Sequence, residues 1–219
     1  MAGAVDRFNM TQTQPLFDRA ALLRHRQRAL AQGPEYFLQE EALFEVKEKL
    51  TDIKRTFTDP AIVTGFPEFW GQAFPNAKTV EDSDTLDLQP GAHDLVIHAM
   101  ALHCSNDPVG QLIQCRRSLR PDGVLIVALL GGQTLVELRA VLSEAEVALT
   151  GGLSPRVAPM AEIRDLGALL QRAGLNLPVA DSAPRQVSYK DIFALMRELR
   201  AMAETNILSQ RIKKLAPKH

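Results

Sequence analysis

Two apolar runs constrain this chain more than any other feature in it. Asp94-Leu95-Val96-Ile97 and residues 124–130 are short and rich in branched aliphatic side chains. Each follows a turn signal, Pro90-Gly91 before the first and Pro121-Asp122-Gly123 before the second. Between them residues 109–119 read as a helix with Leu112, Ile113, Cys115 and Leu119 inward. Uninterrupted apolar runs belong to strands buried on both faces, and a helical crossover between two such strands makes them parallel. The expectation is an α/β fold, with a mostly parallel sheet and helices on both of its faces.

The flanking texture extends this pattern. Residues 61–64 and 77–80 read as two further short strands, with a short helix over residues 67–74 between them. After Gly131-Gly132, Leu135, Leu138, Leu142, Ala145 and Leu149 recur at spacings of three and four until Gly151-Gly152. Another helix over residues 163–173 closes at Gly174, a natural C-terminal cap. Residues 179–189 are read as one more strand and residues 191–214 as a final helix. Residues 15–57 are helical in pattern, broken by Gly33-Pro34, with the proline placed to open the second helix. Leu43, Val46, Leu50, Ile53 and Phe57 form an apolar stripe there that must dock on the sheet. The expected organisation is an N-terminal helical extension over residues 1–57, then an α/β domain with a C-terminal helix over residues 58–219.

The net charge of -1 creates no global field toward nucleic acid or an anionic membrane. Acidic residues crowd residues 61–110 and basic residues crowd the C-terminal end, which reads as solvated surface or as a contact for an acidic partner. Two cysteines, Cys104 and Cys115, do not make a disulfide framework and suit a reducing compartment. No apolar run reaches 18 residues and no signal core opens the chain. The expected location is the cytoplasm, or the mitochondrial matrix in a eukaryote.

Several stretches resemble one family. His93-Asp94-Leu95-Val96-Ile97, Ala101-Leu102-His103 and Asn106-Asp107 resemble the fourth strand and following loop of class I S-adenosylmethionine-dependent methyltransferases. The turn from Arg117 through Gly123, the stretch from Gly131 through Arg139, and Gly151-Gly152-Leu153-Ser154-Pro155-Arg156-Val157-Ala158-Pro159 narrow the resemblance. So do the stretch from Asp165 through Gly174 and the opening Leu16-Phe17-Asp18-Arg19. Together they resemble the branch that contains a mitochondrial complex I assembly factor, an arginine hydroxylase, and its bacterial relatives. The malonyl carrier-protein methyltransferases are more distant cousins. The resemblance implies a Rossmann-like fold, S-adenosylmethionine as cofactor and a protein partner, such as a respiratory complex I subunit.

The departures fall in the cofactor half. The family pattern places a glycine-rich turn after the first strand, where backbone amides approach the cofactor. Here the equivalent residues are Thr64-Gly65-Phe66-Pro67, with one glycine and a proline that lacks an N–H. Only 33 positions separate Ala61 from Asp94. One βαβ unit alone takes roughly 30 residues, so one strand–helix unit of the intact fold is expected to be missing. The expected fold is therefore a reduced one. Gly65, Glu81 and Asp82 are the candidates for cofactor contact.

His103, just past the fourth-strand equivalent, is the candidate catalytic residue, as proton carrier or orienter. Arg156 is a candidate for binding a carboxylate, and the resemblance adds Glu204 and Asn206 on the substrate side. Cys104 stands where relatives often carry an aromatic residue, and Ala201 and Ala203 where they often carry glycine. His93, His98, His103 and Cys104 match no metal-site spacing, so no metal is expected. Two functional readings stand. One is a methyltransferase-family enzyme acting on a partner protein, in complex I assembly. The other is a non-catalytic binding or assembly factor that has lost its cofactor.

Overall fold

The computed structural model describes residues 14–213. Helix α1 (Arg19–Gln32) starts at Asp18, whose carboxylate accepts the Ala21 N–H at 2.9 Å, and ends at Gly33 with φ of 94°. Helix α2 (Phe37–Ile53) begins three residues after Pro34 rather than on it. Glu35 explains the delay. Its N–H is bonded to the Ala201 carbonyl and its carboxylate accepts the Phe37 N–H, so it lies outside the first turn.

The sheet contains β1 (Pro60–Thr64), β2 (Lys78–Glu81), β3 (His93–Ala99) and β4 (Leu119–Ala128) in the order β2-β1-β3-β4, all parallel. Helix α3 (Pro67–Ala73) joins β1 to β2, and α4 (Pro108–Ser118) joins β3 to β4. Strand alternation sorts the core into two layers. Ile62, Leu95 and Ile97 face Ala42 and Val46 of α2 and Trp70 of α3, with Leu43, Leu50 and Phe57 packed around them. Ala61, Val63, Val80 and Val96 face Cys115 of α4 on the opposite side. The expected parallel sheet with helices on both faces is present, and the α2 stripe docks on it.

The missing unit is visible in the topology. Between β1 and β3 there is one helix and one strand. Residues 82–92 return from β2 to β3 without forming a helix. The sheet is therefore short on the side of β2.

Two expectations fail toward the C-terminus, where packing decides. No strand forms over residues 179–189. Pro184 has no N–H to donate, and Arg185 instead binds Glu41 and Glu45 at 2.6 Å each, strapping this segment along α2. Helix α5 (Val136–Thr150) has the expected bounds, but its stripe is only partly covered. Leu149 is 76% exposed, because among the described residues no further strand extends the sheet beneath it. Helix α6 (Ile163–Arg172) closes at Gly174 as expected, with φ of 78°.

Helix α7 (Ile192–Ala201) stops well short of residue 214. Ala203 takes the left-handed conformation, with φ of 64°, and the chain folds back. Ile207 and Leu208 then bury against Phe17, Ala21 and Leu22, and Leu208 bridges Phe17. Burying those two side chains outweighs continued helix. The basic end expected beyond residue 213 lies outside the described residues.

Asp94 splices α2 to the sheet. Its carboxylate accepts the Thr58 N–H at 2.7 Å and the Asp59 N–H at 3.0 Å. Asp94→Ala leaves both donors without that acceptor and is expected to lower unfolding stability by about 2 kcal/mol. Urea denaturation checks this, and a change within about 0.5 kcal/mol would refute the role.

Candidate functional site

Open parallel sheets bind ligands beyond the carboxyl ends of their strands. Here that edge collects Gly65 after β1, Asp82 after β2 and a single 3₁₀ turn, Leu102–Cys104, after β3. Helix α1 brings Arg19 and Arg26 to it, and the turn after α7 brings Glu204.

Arg26 dominates the first part of this edge. Its Nη1 and Nη2 donate to the two Asp82 carboxylate oxygens at 2.6 and 2.8 Å. Arg19 adds a third bond to Asp82 at 3.0 Å. The Asp82 and Arg26 side chains are 3% and 9% exposed, so the pair is desolvated. Burial alone would raise the Asp82 pKa. The bonds and charge of Arg26, then of Arg19, outweigh it and hold the carboxyl well below its usual range. A Cβ on Gly65 would lie 2.2 Å from the Arg26 guanidinium carbon. The guanidinium therefore rests directly on the glycine, in the cradle that the glycine opens.

Behind this pair lies a buried polar relay. His98, fully buried in β3, has Nε2 2.9 Å from the Gln111 Oε1. The Gln111 amide donates to the carbonyls of Asp82 and Ser83 at 3.2 and 2.9 Å. Gln111 thus fixes the backbone that carries Asp82. Burial lowers the His98 pKa to about 4, so the imidazole is neutral at physiological pH.

His103 forms the second part of the edge. Its Nε2 lies 3.3 and 3.4 Å from the two Glu204 oxygens. Burial opposes its charge, but the Cys104 sulfur and the Glu204 carboxylate outweigh burial and raise the pKa well above the usual histidine value. An imidazole held protonated donates or orients at neutral pH and does not accept a proton.

The remaining candidates sit elsewhere. Glu81 is exposed at the end of β2. Arg156 donates to Glu146 at 2.8 Å beside a cavity of about 180 Å³ that Arg139, Ser143 and Ser154 help to line. Glu146 also accepts from the Ser154 backbone and hydroxyl, and these bonds with Arg156 hold its pKa down to about 2. Asn206 donates to the Pro155 carbonyl at 2.8 Å, tying that loop to the turn after α7. The structure thus joins Gly65 with Asp82, and His103 with Glu204. It leaves Arg156 on a separate loop, which Asn206 ties to the turn that carries Glu204.

Sequence reasoning missed Arg26, Arg19 and Gln111. One signal for Arg26 was present. Leu22, Arg26 and Ala29 follow one another at spacings of four and three, which places a cation on the buried stripe of α1.

Comparisons with known proteins bear on this edge. A family model described as a methyltransferase domain matches residues 52–127. The mitochondrial arginine-hydroxylase NDUFAF5 of Mus musculus is 41% identical over 132 residues, covering 60% of this chain and 38% of that protein. The Danio rerio protein of the same name is 31% identical over 229 residues, covering 91% of this chain and 71% of that protein. The chain belongs to the class I S-adenosylmethionine-dependent methyltransferase family, in the branch of these hydroxylases. It matches well under half of the mouse protein's length. A methyltransferase of known structure from Thermotoga maritima has a TM-score of 0.47 at 14% identity, over 72% of this chain and 81% of that one. Among the described residues of this family member, no helix is long and apolar enough to cross a membrane.

Two predictions follow from the buried groups of this edge. Arg26→Met leaves Asp82 with Arg19 alone and is expected to destabilise the chain by about 3 kcal/mol, whereas Arg26→Met with Asp82→Leu recovers most of that loss. A denaturant double-mutant cycle measures it, and additive losses would refute a coupled pair. His98 is neutral when folded, whereas in the unfolded chain it takes up a proton near pH 6.5. Its contribution to stability is therefore present above pH 6.5 and is lost as pH falls toward about 4. The loss amounts to about 3 kcal/mol across that window. His25, also lowered by burial, adds to the same slope. His98→Leu is expected to flatten stability against pH there, and an unchanged slope would refute a buried neutral imidazole.

Proposed function

We propose that this chain is a protein-directed member of its family, acting in respiratory complex I assembly as a binding or assembly factor rather than as a cofactor-dependent catalyst. The observation that carries this reading is the Arg26–Asp82 pair. In the family pattern the glycine after the first strand and the acids beyond the next strands face S-adenosylmethionine. Here the space over Gly65 is taken by the Arg26 guanidinium. Both Asp82 oxygens are bound by Arg26, and one also by Arg19. Glu81 is exposed at the strand end. Phe66 and Pro67 follow the glycine, and one strand–helix unit is absent. These residues do not fit the cofactor, and we read the cofactor site as degenerate.

The substrate side is supported by different facts. His103, Glu204 and the Asn206–Pro155 tie remain ordered around the turn after α7. The mouse and zebrafish relatives are named as mitochondrial arginine hydroxylases, which act on a guanidinium group. A protein partner fits that chemistry, and a matrix or cytoplasmic location fits the pair of unbridged cysteines.

The catalytic reading retains the same partner and adds S-adenosylmethionine, with His103 orienting the acceptor. Calorimetry and thermal denaturation separate the two. A ligand present at 100 times its Kd stabilises a protein by about 2.7 kcal/mol, which raises the Tm by several degrees. The expected result is no heat of binding and no change in Tm with S-adenosylmethionine. A saturable rise in Tm would overturn the closed cleft. Separately, loss of the chain is expected to lower the amount of assembled complex I on native gels, and unchanged assembly would overturn the partner assignment.

A further inference from the structure

Folding brings together three donors that lie far apart in the sequence. One ligand atom each from His103, Cys104 and Glu204 lie within 4.8 Å of one another. His103 and Glu204 are 101 residues apart, and the fold-back after Ala203 is what joins them. The linear spacing of the histidines and Cys104 matches no metal motif, because the third donor comes from the turn after α7 rather than from β3.

The geometry inside this cluster is long for a charge-assisted hydrogen bond and matches shared coordination. A charge-assisted bond between imidazole and carboxylate has a length of about 2.7–2.9 Å. Here Nε2 stands 3.3 and 3.4 Å from the Glu204 oxygens, nearly equidistant from both. Two ligands at about 2.0 Å from a tetrahedral zinc ion lie about 3.3 Å apart. The other ring nitrogen, Nδ1, is buried without a partner, so the imidazole is unsatisfied at that end. Its side chain is 5% exposed and that of Glu204 is 19% exposed, which leaves the carboxylate side open to an entering ion.

We propose that His103, Cys104 and Glu204 form a site for a divalent transition metal of the zinc type. Nitrogen, sulfur and oxygen donors together suit a borderline-soft ion, and hard calcium or magnesium ions prefer all-oxygen shells. Three protein ligands leave a fourth position free for water. A metal takes imidazole and thiol as their deprotonated forms, so binding is coupled to proton release. The thiolate and carboxylate then balance the two positive charges of the ion. The site does not depend on whether the cofactor cleft is closed.

Cobalt(II) is the probe, because a thiolate ligand gives it a near-ultraviolet charge-transfer band. The full chain is stripped with chelator and titrated with cobalt and then zinc. The expected result is one cobalt per chain with a thiolate band and tetrahedral visible bands, all displaced by zinc. Cys104→Ser is expected to abolish the thiolate band, His103→Ala and Glu204→Gln to abolish stoichiometric binding, and Cys115→Ala to leave the spectrum unchanged. Wild-type chain that gives no thiolate band overturns the proposal, whatever the variants do. So does binding whose affinity is unchanged in Cys104→Ser and His103→Ala, with circular dichroism confirming that each variant is folded.

Discussion

The desolvated pair between Arg26 and Asp82 governs how the two halves of this chain meet. Arg26 comes from the first helix and Asp82 from the end of the shortest strand, 56 positions apart. Neither charge tolerates burial alone, so each makes the other's position obligatory. The pair pins α1 across the carboxyl edge of the sheet. It sets the guanidinium on Gly65, and through Asp82 it depends on the Gln111 bonds that hold the strand end. The result is an edge at which the space over Gly65 is taken up by the protein's own side chain.

That arrangement suits a sheet with a unit missing. With β2 directly beside β1, no second helix covers the loop over residues 82–92. The helices before β1 take over part of the covering. Helix α2 packs its stripe on one face, and α1 caps the carboxyl ends. The N-terminal helices are thus part of the core of a shortened sheet. The C-terminal segment acts in the same way from the other direction, with Ile207 and Leu208 closing over Phe17 and Leu22.

The fold-back after α7 also decides the chemistry near β3. A helix continuing through residue 214 would carry Glu204 along its axis and leave His103 with no carboxylate. The left-handed Ala203 instead turns Glu204 toward the imidazole. A side chain that opens as a loop histidine in the linear reading becomes a charged, buried group beside a thiol and a carboxylate.

The linear order of residues was sufficient for the parallel sheet and for its deficit. The apolar run at Asp94-Leu95-Val96-Ile97 can be satisfied only by burial on both faces, and the short interval from Ala61 to Asp94 cannot house two strand–helix units. Those are local and length arguments, and they need no knowledge of partners. Residues 124–128 form a strand as expected, but at the sheet edge they are only half-buried. The strand expected over residues 179–189 and the long last helix failed because propensity there is weak. Both segments found better partners elsewhere, in Glu41 and Glu45 and in Phe17. The site divided along the same line. Gly65, Asp82 and His103 could be marked as edge residues from the strands that precede them. That Arg26 fills the glycine cradle, and that Glu204 reaches His103, rests on contacts between segments 39 and 101 positions apart. Such contacts are chosen by the desolvation of charges and by burial of apolar surface in the assembled chain, and no local pattern encodes them.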